Sequence, residues 1–472
     1  MSKELLESKE IEVVDVKTTD DFASQEKQIL RKIDLRILSL TALAYMLNHI
    51  DRTNLANAII MNTDVPGSSM SEQLDLHGSR FGHIITAFYA TYIIFEIPSN
   101  ILLKKFGPSI HISRIVIGWG IVTTCSAAVQ SYEGMIVNRI ALAIAESGFF
   151  PGILYYFTFW YNDSERAFRL AFFVAFGSLS GAFSGLFASG CSYLNNLGHP
   201  ALAGFRWLFL LEGIPTIILG ICIYFWLPDY PETTKFLTEK EREIVLMRLG
   251  ASVTKDDDKK LKMSSIWNVL KQWDFWFMAI LWMLLGHGTA AFSFFAPTII
   301  NDLSEDYEGV IAQLLSIPPS VLACLLTIAS GYFSDKMKNR PAFIIAGVVS
   351  VSGGYLILAV DKNVLALRLL AVFLVALANV SIVPLAAYRL SIQGLKTDTD
   401  SHAIGFASSA SVAIANVSGI TAPLILDSSM KFEYKCFVFL VLFITAGMQA
   451  LFCLWWWGPG VETKKAREKG AC

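Results

Sequence analysis

The chain has 472 residues, 54% of them hydrophobic and 17% charged, with a formal net charge of −2. Soluble domains carry about 25% charged residues, so a chain this poor in charge points to long apolar segments, and with no basic excess it offers nucleic acid nothing to bind. The seven cysteines are scattered, mostly through apolar runs, with no Cys-x-x-Cys pair, which argues against a disulfide framework or a metal cage.

Residues 1–33 are polar and acidic and lack the apolar core of a cleaved signal, so they read as a cytoplasmic tail, with the first span as targeting signal. Twelve apolar runs follow, at 37–60, 81–103, 111–130, 135–158, 170–192, 207–227, 274–299, 314–332, 341–360, 364–388, 402–425 and 436–457. Each is near the ~20 residues that a helix needs to cross a bilayer. The first carries Asp51 and Arg52 near bilayer depth, where a charge costs on the order of 2.5–3.5 kcal/mol. By the 3.6-residue period, Asn48, Asp51, Arg52 and Leu55 share a face. One reading is an internal salt bridge that only cancels charge. Apolar residues would serve a purely structural role as well or better, so an ion or substrate pathway is favoured.

The second run holds Tyr92, with Glu96 near its end. The fourth holds Arg139 and Glu146, seven residues apart and so on one side, with a bend expected at Pro151–Gly152. A guanidinium fits a carboxylate bidentately, so two arginines and two carboxylates in one half suggest an anion site beside a proton site. The fifth run has Gly177, Gly181 and Gly185 at intervals of four, a face for close helix packing on which two halves could rock. Residues 228–273 form a polar linker, with a capping box at Thr238 to Glu241 opening a short helix that ends near Gly250. The charge run Lys255 to Lys260 follows it. The eighth run ends Gly331-x-x-x-Asp335-Lys336-x-x-x-Arg340, and the second ends in the related stretch Ser99 to Ser109. The tenth run stops at Tyr388, which leaves Arg389 in an inner loop, 389–396. Asn416 lies in the eleventh, and 458–472 form a C-terminal cytoplasmic tail.

With both ends inside, 30 lysines and arginines fall in inner segments and 5 in outer loops. That bias fits twelve spans. The expectation is an all-α membrane protein of two six-helix halves, 34–227 and 274–457, with both termini cytoplasmic. No P-loop, metal-ligand cluster or catalytic Ser, Cys or His arrangement is visible, so enzymatic activity is not expected.

Parallel six-helix repeats build the major facilitator transporters, and the Gly331 to Arg340 pattern resembles their signature loop. The stretch Asn48 to Ala58 resembles the first span of the anion:cation symporter family, in its fungal allantoate-permease branch. The similarity continues at Glu96 to Asn100, Arg139 to Tyr156, Arg206 to Phe209, Glu212–Gly213, Leu227 to Pro231 and Ile317 to Pro319. The resemblance implies proton-coupled symport of a small organic anion by alternating access, with Asp51 and Glu146 carrying protons. It places Arg52 and Arg139 on the anion, with Asn48, Tyr92 and Asn416 lining the substrate cavity. Gly331, Asp335 and Arg340, with Gly177, Gly181 and Gly185, would serve the conformational change. No cofactor is implied beyond the proton. The substrate would be a carboxylate such as nicotinate, pantothenate, biotin or allantoate, and the protein a monomer in the plasma membrane, with endoplasmic reticulum or vacuole also compatible. Proton-independent facilitation and a non-transporting nutrient sensor stay open beside this reading.

Overall fold

The computed structural model describes residues 24–198, 201–249, 263–301, 309–360, 364–396, 401–426 and 430–459. Among these, the only β feature is an isolated bridge between Leu197 and Leu202. The described chain begins in α-helix at 24–33 and passes through a π-helical turn, Asp34–Leu38, closed by the Ser39 N–H donating five residues back to the Asp34 carbonyl. It runs on without a break into α1 (Ser39–Ala58). Then come α2 (Met70–Gln73), α3 (Arg80–Phe106), α4 (Pro108–Ser126), α5 (Tyr132–Glu146), α6 (Phe149–Thr158), α7 (Asp163–Ser192) and α8 (Gly204–Trp226). The linker carries α9 (Glu239–Leu249) and α10 (Met263–Leu270). The second half comprises α11 (Trp273–Asn301), α12 (Gly309–Leu315), α13 (Ile317–Lys336), α14 (Arg340–Val360), α15 (Leu365–Ala376), α16 (Asn379–Lys396), α17 (Ser401–Asn416), α18 (Ser418–Leu426) and α19 (Phe432–Trp456).

Among the described residues, nine stretches are long and apolar enough to cross a membrane. They coincide with nine of the twelve expected runs. The helices α1, α3 and α4 fall outside that set. In α1 the reason is its polar load, since Asn48, His49, Asp51, Arg52, Asn54 and Asn57 lie within ten residues. Outward faces are apolar: Ile214, Ile218, Ile221 and Phe225 of α8 recur at helical spacing and are exposed, as lipid contact requires.

Close packing depends on small residues. α4 and α8 lie against each other, and a Cβ on Gly120 or Gly220 would come within 2.9 Å of the backbone nitrogen of Ile217 or Ile117. The two halves meet where α7 packs on α12, α13 and α16, where α3 packs on α17 and α18, and where α1 packs on α11. A Cβ on Gly181 would lie 2.6 Å from Ser320 Oγ, and one on Gly185 2.7 Å from the Gln313 carbonyl. Both glycines therefore face the other half. Gly177 instead meets Tyr45, at 2.7 Å, in its own half. The one glycine face thus serves two partners along its length, because α7 crosses from α1 to α13. Gly331 also lies at the junction, where a Cβ would be 2.5 Å from that of Ala171.

The linker begins on the first half. Thr238 N–H donates to Glu241 Oε2 at 2.9 Å, and the Glu241 N–H returns a bond to Thr238 Oγ1 at 3.4 Å, a reciprocal cap for α9. Lys32 donates to the Glu241 carboxylate, and this bond, with the Thr238 N–H, holds that carboxyl below its ordinary pKa. Arg248 ties the far end of α9 to Glu165 at 3.2 Å and to the Trp160 carbonyl at 2.9 Å. The charge run Lys255 to Lys260 lies outside the described residues.

Candidate functional site

Asp51 and Arg52 do not pair with each other. Adjacent helical residues point about 100° apart, and α1 uses that angle to serve two polar clusters. Asn48 and Arg52, one turn apart, face a central cavity, together with Tyr45 and His49. Arg52 forms an ion pair with Glu146, whose side chain is wholly buried, while that of Arg52 is 12% exposed. The guanidinium carbon also stands 4.7 Å from the Tyr92 ring centre and 5.4 Å from that of Phe88, within cation–π range. Glu146 Oε2 has no hydrogen-bond partner among the described residues.

Asp51 points the other way, into the first half. Its Oδ2 accepts from Trp119 Nε1 at 3.0 Å and from Thr216 Oγ1 at 3.3 Å. Arg139 lies beside it, donating to the Asp51 backbone carbonyl at 3.3 Å and to Asn54 Oδ1 at 3.2 Å. Arg139 is buried, its guanidinium 5.8 Å from the Phe209 ring centre. The expected single polar centre is thus two. Arg139 and Asp51 form a second cluster across α1 from the cavity and do not line it. Glu212, also buried, has neither carboxylate oxygen bonded among the described residues.

The cavity encloses about 140 Å³ and has walls from both halves. Opposite Arg52 stand Trp282, Thr289, Asn379 and Asn416. Three expected spans are interrupted at this level. Gly148, with φ of +83°, separates α5 from α6 immediately after Glu146, three residues earlier than the bend expected at Pro151. A Cβ there would also lie 2.5 Å from Ser99 Oγ. Leu377–Ala378 separate α15 from α16 just before Asn379, and Val417 separates α17 from α18 just after Asn416. Irregular backbone at membrane depth is tolerated where protein buries it or where it lines a cavity, and interrupted helices in matching positions of two halves point to a binding site.

Neutral hydrogen bonds join the halves around the cavity: Asn379 Nδ2 donates to Ser178 Oγ at 2.9 Å, and Asn100 Nδ2 to Ser409 Oγ at 3.3 Å. Asn416 Nδ2 donates to Glu96 Oε2 at 3.5 Å, so this expected cavity residue also bridges the halves. His287 is a packing residue, 2.8 Å from Thr421 Oγ1. Arg340 opens α14 and donates to the Ala387 carbonyl at 3.1 Å, while the Asp335 side chain lies outside the described residues. Sequence reasoning missed Trp282, Tyr45, His49 and Asn379 as cavity residues. It also placed Arg389 in a loop, whereas the residue lies within α16 and is wholly buried. Among the described residues, no group of three His, Cys, Asp or Glu side chains could hold a metal ion.

The sequence profile of the Major Facilitator Superfamily matches residues 41–423. The MFS transporter prlL of a fungal species is 33% identical over 363 residues, 74% of this chain and 71% of that protein. The major facilitator-type transporter hxnP of Emericella nidulans is 32% identical over 338 residues, 71% of this chain and 66% of that protein. A putative tartrate transporter of Agrobacterium vitis is 31% identical over 330 residues, 70% of this chain and 72% of that protein. The matched stretches thus span between 66% and 72% of these relatives' lengths. In fold, the chain resembles a bacterial homolog of the human lysosomal transporter Spinster in an inward-facing, unoccupied conformation. The TM-score is 0.63 at 14% identity, over 88% of this chain and 96% of that one.

Proposed function

The chain belongs to the Major Facilitator Superfamily, and from that premise we propose that it carries a small organic anion across the membrane together with a proton. A multi-pass membrane protein and transporter of this type would alternate the access of its central cavity between the two sides. We assign it twelve spans in two six-helix halves, 34–227 and 274–457, cytoplasmic termini, and a monomer's site in the plasma membrane.

The observation that carries the reading is the buried ion pair between Arg52, which lines the cavity, and Glu146 behind it. Arg52 is part-exposed to the cavity, so a substrate carboxylate can accept from the guanidinium in place of Glu146. The displaced carboxylate would be left in an apolar surrounding, which favours its uptake of a proton. Anion and proton then share one binding event, and only release of both returns the Glu146 carboxylate to Arg52. Asn48, Tyr92 and Asn416 would contact the remainder of the substrate. Asp51 lies off the cavity, against Trp119 and Thr216, and we assign it a proton site that the substrate does not touch. Arg139 would act by holding that cluster rather than by binding the anion.

The resemblance of the first span to anion:cation symporters and the likeness to a putative tartrate transporter support a carboxylate substrate. The test is uptake by cells expressing the chain from a panel of labelled carboxylates, tartrate and nicotinate among them, at acid and neutral external pH. Uptake of one anion, faster at acid pH and lost in Glu146→Gln, is expected. Uptake indifferent to pH and to that substitution would replace symport by facilitated diffusion.

A further inference from the structure

We propose that Arg389 is a second anion-binding group, placed behind the Trp282 indole next to the central cavity, which receives the substrate carboxylate on its way through that end of the transporter. The proposal rests on the reading of the cavity as an organic-anion site. Arg389 is wholly buried. Its guanidinium carbon lies 4.9 Å from the centre of the Trp282 ring, and that indole lines the cavity. A guanidinium has five N–H donors. The acceptors here are the Ala407 carbonyl at 3.2 Å and Ser408 Oγ at 3.4 Å, both neutral, and Nε has no partner among the described residues. No carboxylate pairs with it there. A buried cation without a counter-charge is costly, and the indole face offsets only part of that cost.

The position suits a route. Ser408 is next to Ser409, which accepts from Asn100 and so helps to close the two halves together. Both serines precede the cavity residue Val412 by about a turn of α17. Parting of the halves at Asn100–Ser409 would open a way from the cavity past Trp282 to Arg389, where the fork can grip a carboxylate bidentately.

The experiment compares full-length wild type, Arg389→Met, Arg389→Lys, Arg52→Gln and the double variant Arg52→Gln/Arg389→Met. Melting in detergent is recorded with sodium tartrate, with sodium nicotinate, or with chloride at matched ionic strength. Uptake kinetics are measured for whichever anion the wild type carries. Arg389→Met is expected to melt higher than wild type in chloride, because a buried charge with no counter-charge among the described residues is gone. Its KM should rise about tenfold, with Arg389→Lys in between. The carboxylate-dependent rise in melting that survives in Arg52→Gln should vanish in the double variant. If Arg389→Met melts lower, with KM and carboxylate response intact, the residue is structural and the proposal falls. If wild type carries no carboxylate while melting still responds through Arg389, the second site stands and the central reading fails. Should Arg389→Met not fold, Arg389→Lys reads the same KM change, and an unchanged KM there overturns the proposal.

Discussion

Removing the charge of Glu146 tests whether the cavity's ion pair is a single energetic unit. Both partners are buried, the Arg52 side chain 12% exposed and that of Glu146 not at all. Breaking such a pair from one side costs about 3–5 kcal/mol, because the remaining charge is stranded. In Glu146→Gln, Arg52 keeps the faces of Tyr92 and Phe88, each worth about 0.5–1 kcal/mol, and the new amide oxygen still accepts a bond. The low end of the range, about 3 kcal/mol, is therefore expected, a roughly 150-fold shift in the folding equilibrium. Arg52→Gln should cost less, about 2 kcal/mol, because a stranded carboxyl can bind a proton. The double variant strands no charge, so its loss should fall below the sum by about 2 kcal/mol. Chemical denaturation of the purified proteins in detergent measures the cycle, with uptake by cells recorded in parallel. Strictly additive losses, or a Glu146→Gln protein that matches wild type in stability and uptake, would refute the argument.

Gly148→Ala should cost about 1–2 kcal/mol in stability, since φ of +83° disfavours a side chain and Ser99 occupies the space; the melting temperature checks this. Gly181→Leu should drive α7 from Ser320 of α13. We expect cell-surface protein at near-normal level with uptake reduced about tenfold or more, since overpacking of about 1–3 kcal/mol falls on the closed interface. The Lys32–Glu241 bond holds the Glu241 carboxyl below its ordinary pKa, so its small stabilisation, up to about 1 kcal/mol, is complete above the ordinary carboxylate range. It is lost as pH falls through the lowered value. In denaturation series on acidification, Glu241→Gln should remove that part of the slope, and salt should shrink it in wild type.

The helices are legible because bilayer thickness imposes a length on every apolar run, and among the described residues nine runs recur as apolar helices with closely similar bounds. The candidate site was legible in composition and less so in arrangement. Asn48, Arg52, Tyr92 and Asn416 do line one cavity, and the pairing of Arg52 with Glu146 joins two residues singled out for their depth. The separation of Asp51 and Arg139 from that cavity depends on how far α1 and α5 rotate against their neighbours. The polar face of α1 is too broad to settle that rotation. The sequence places Arg389 in a loop because polar residues follow it closely and the apolar run ends at Tyr388, although α16 continues buried through it. The interruption at Gly148 was displaced by Pro151, whose ring sits comfortably in the first turn of α6 and so starts a helix there instead of bending one.

The π-turn at Asp34–Leu38 holds one residue more than an α-helical turn would. A deletion inside it, at the exposed Leu35 for instance, would restore regular α-helix and leave everything downstream in phase. The same deletion anywhere between Ser39 and Asn48 would turn the part of α1 that follows it by about 100° and carry Arg52 away from the cavity. Relatives of this chain that differ in length by one residue within this continuous helix ahead of Asn48 should therefore have gained or lost it in this turn, the place where a change in length leaves the cavity residues in register.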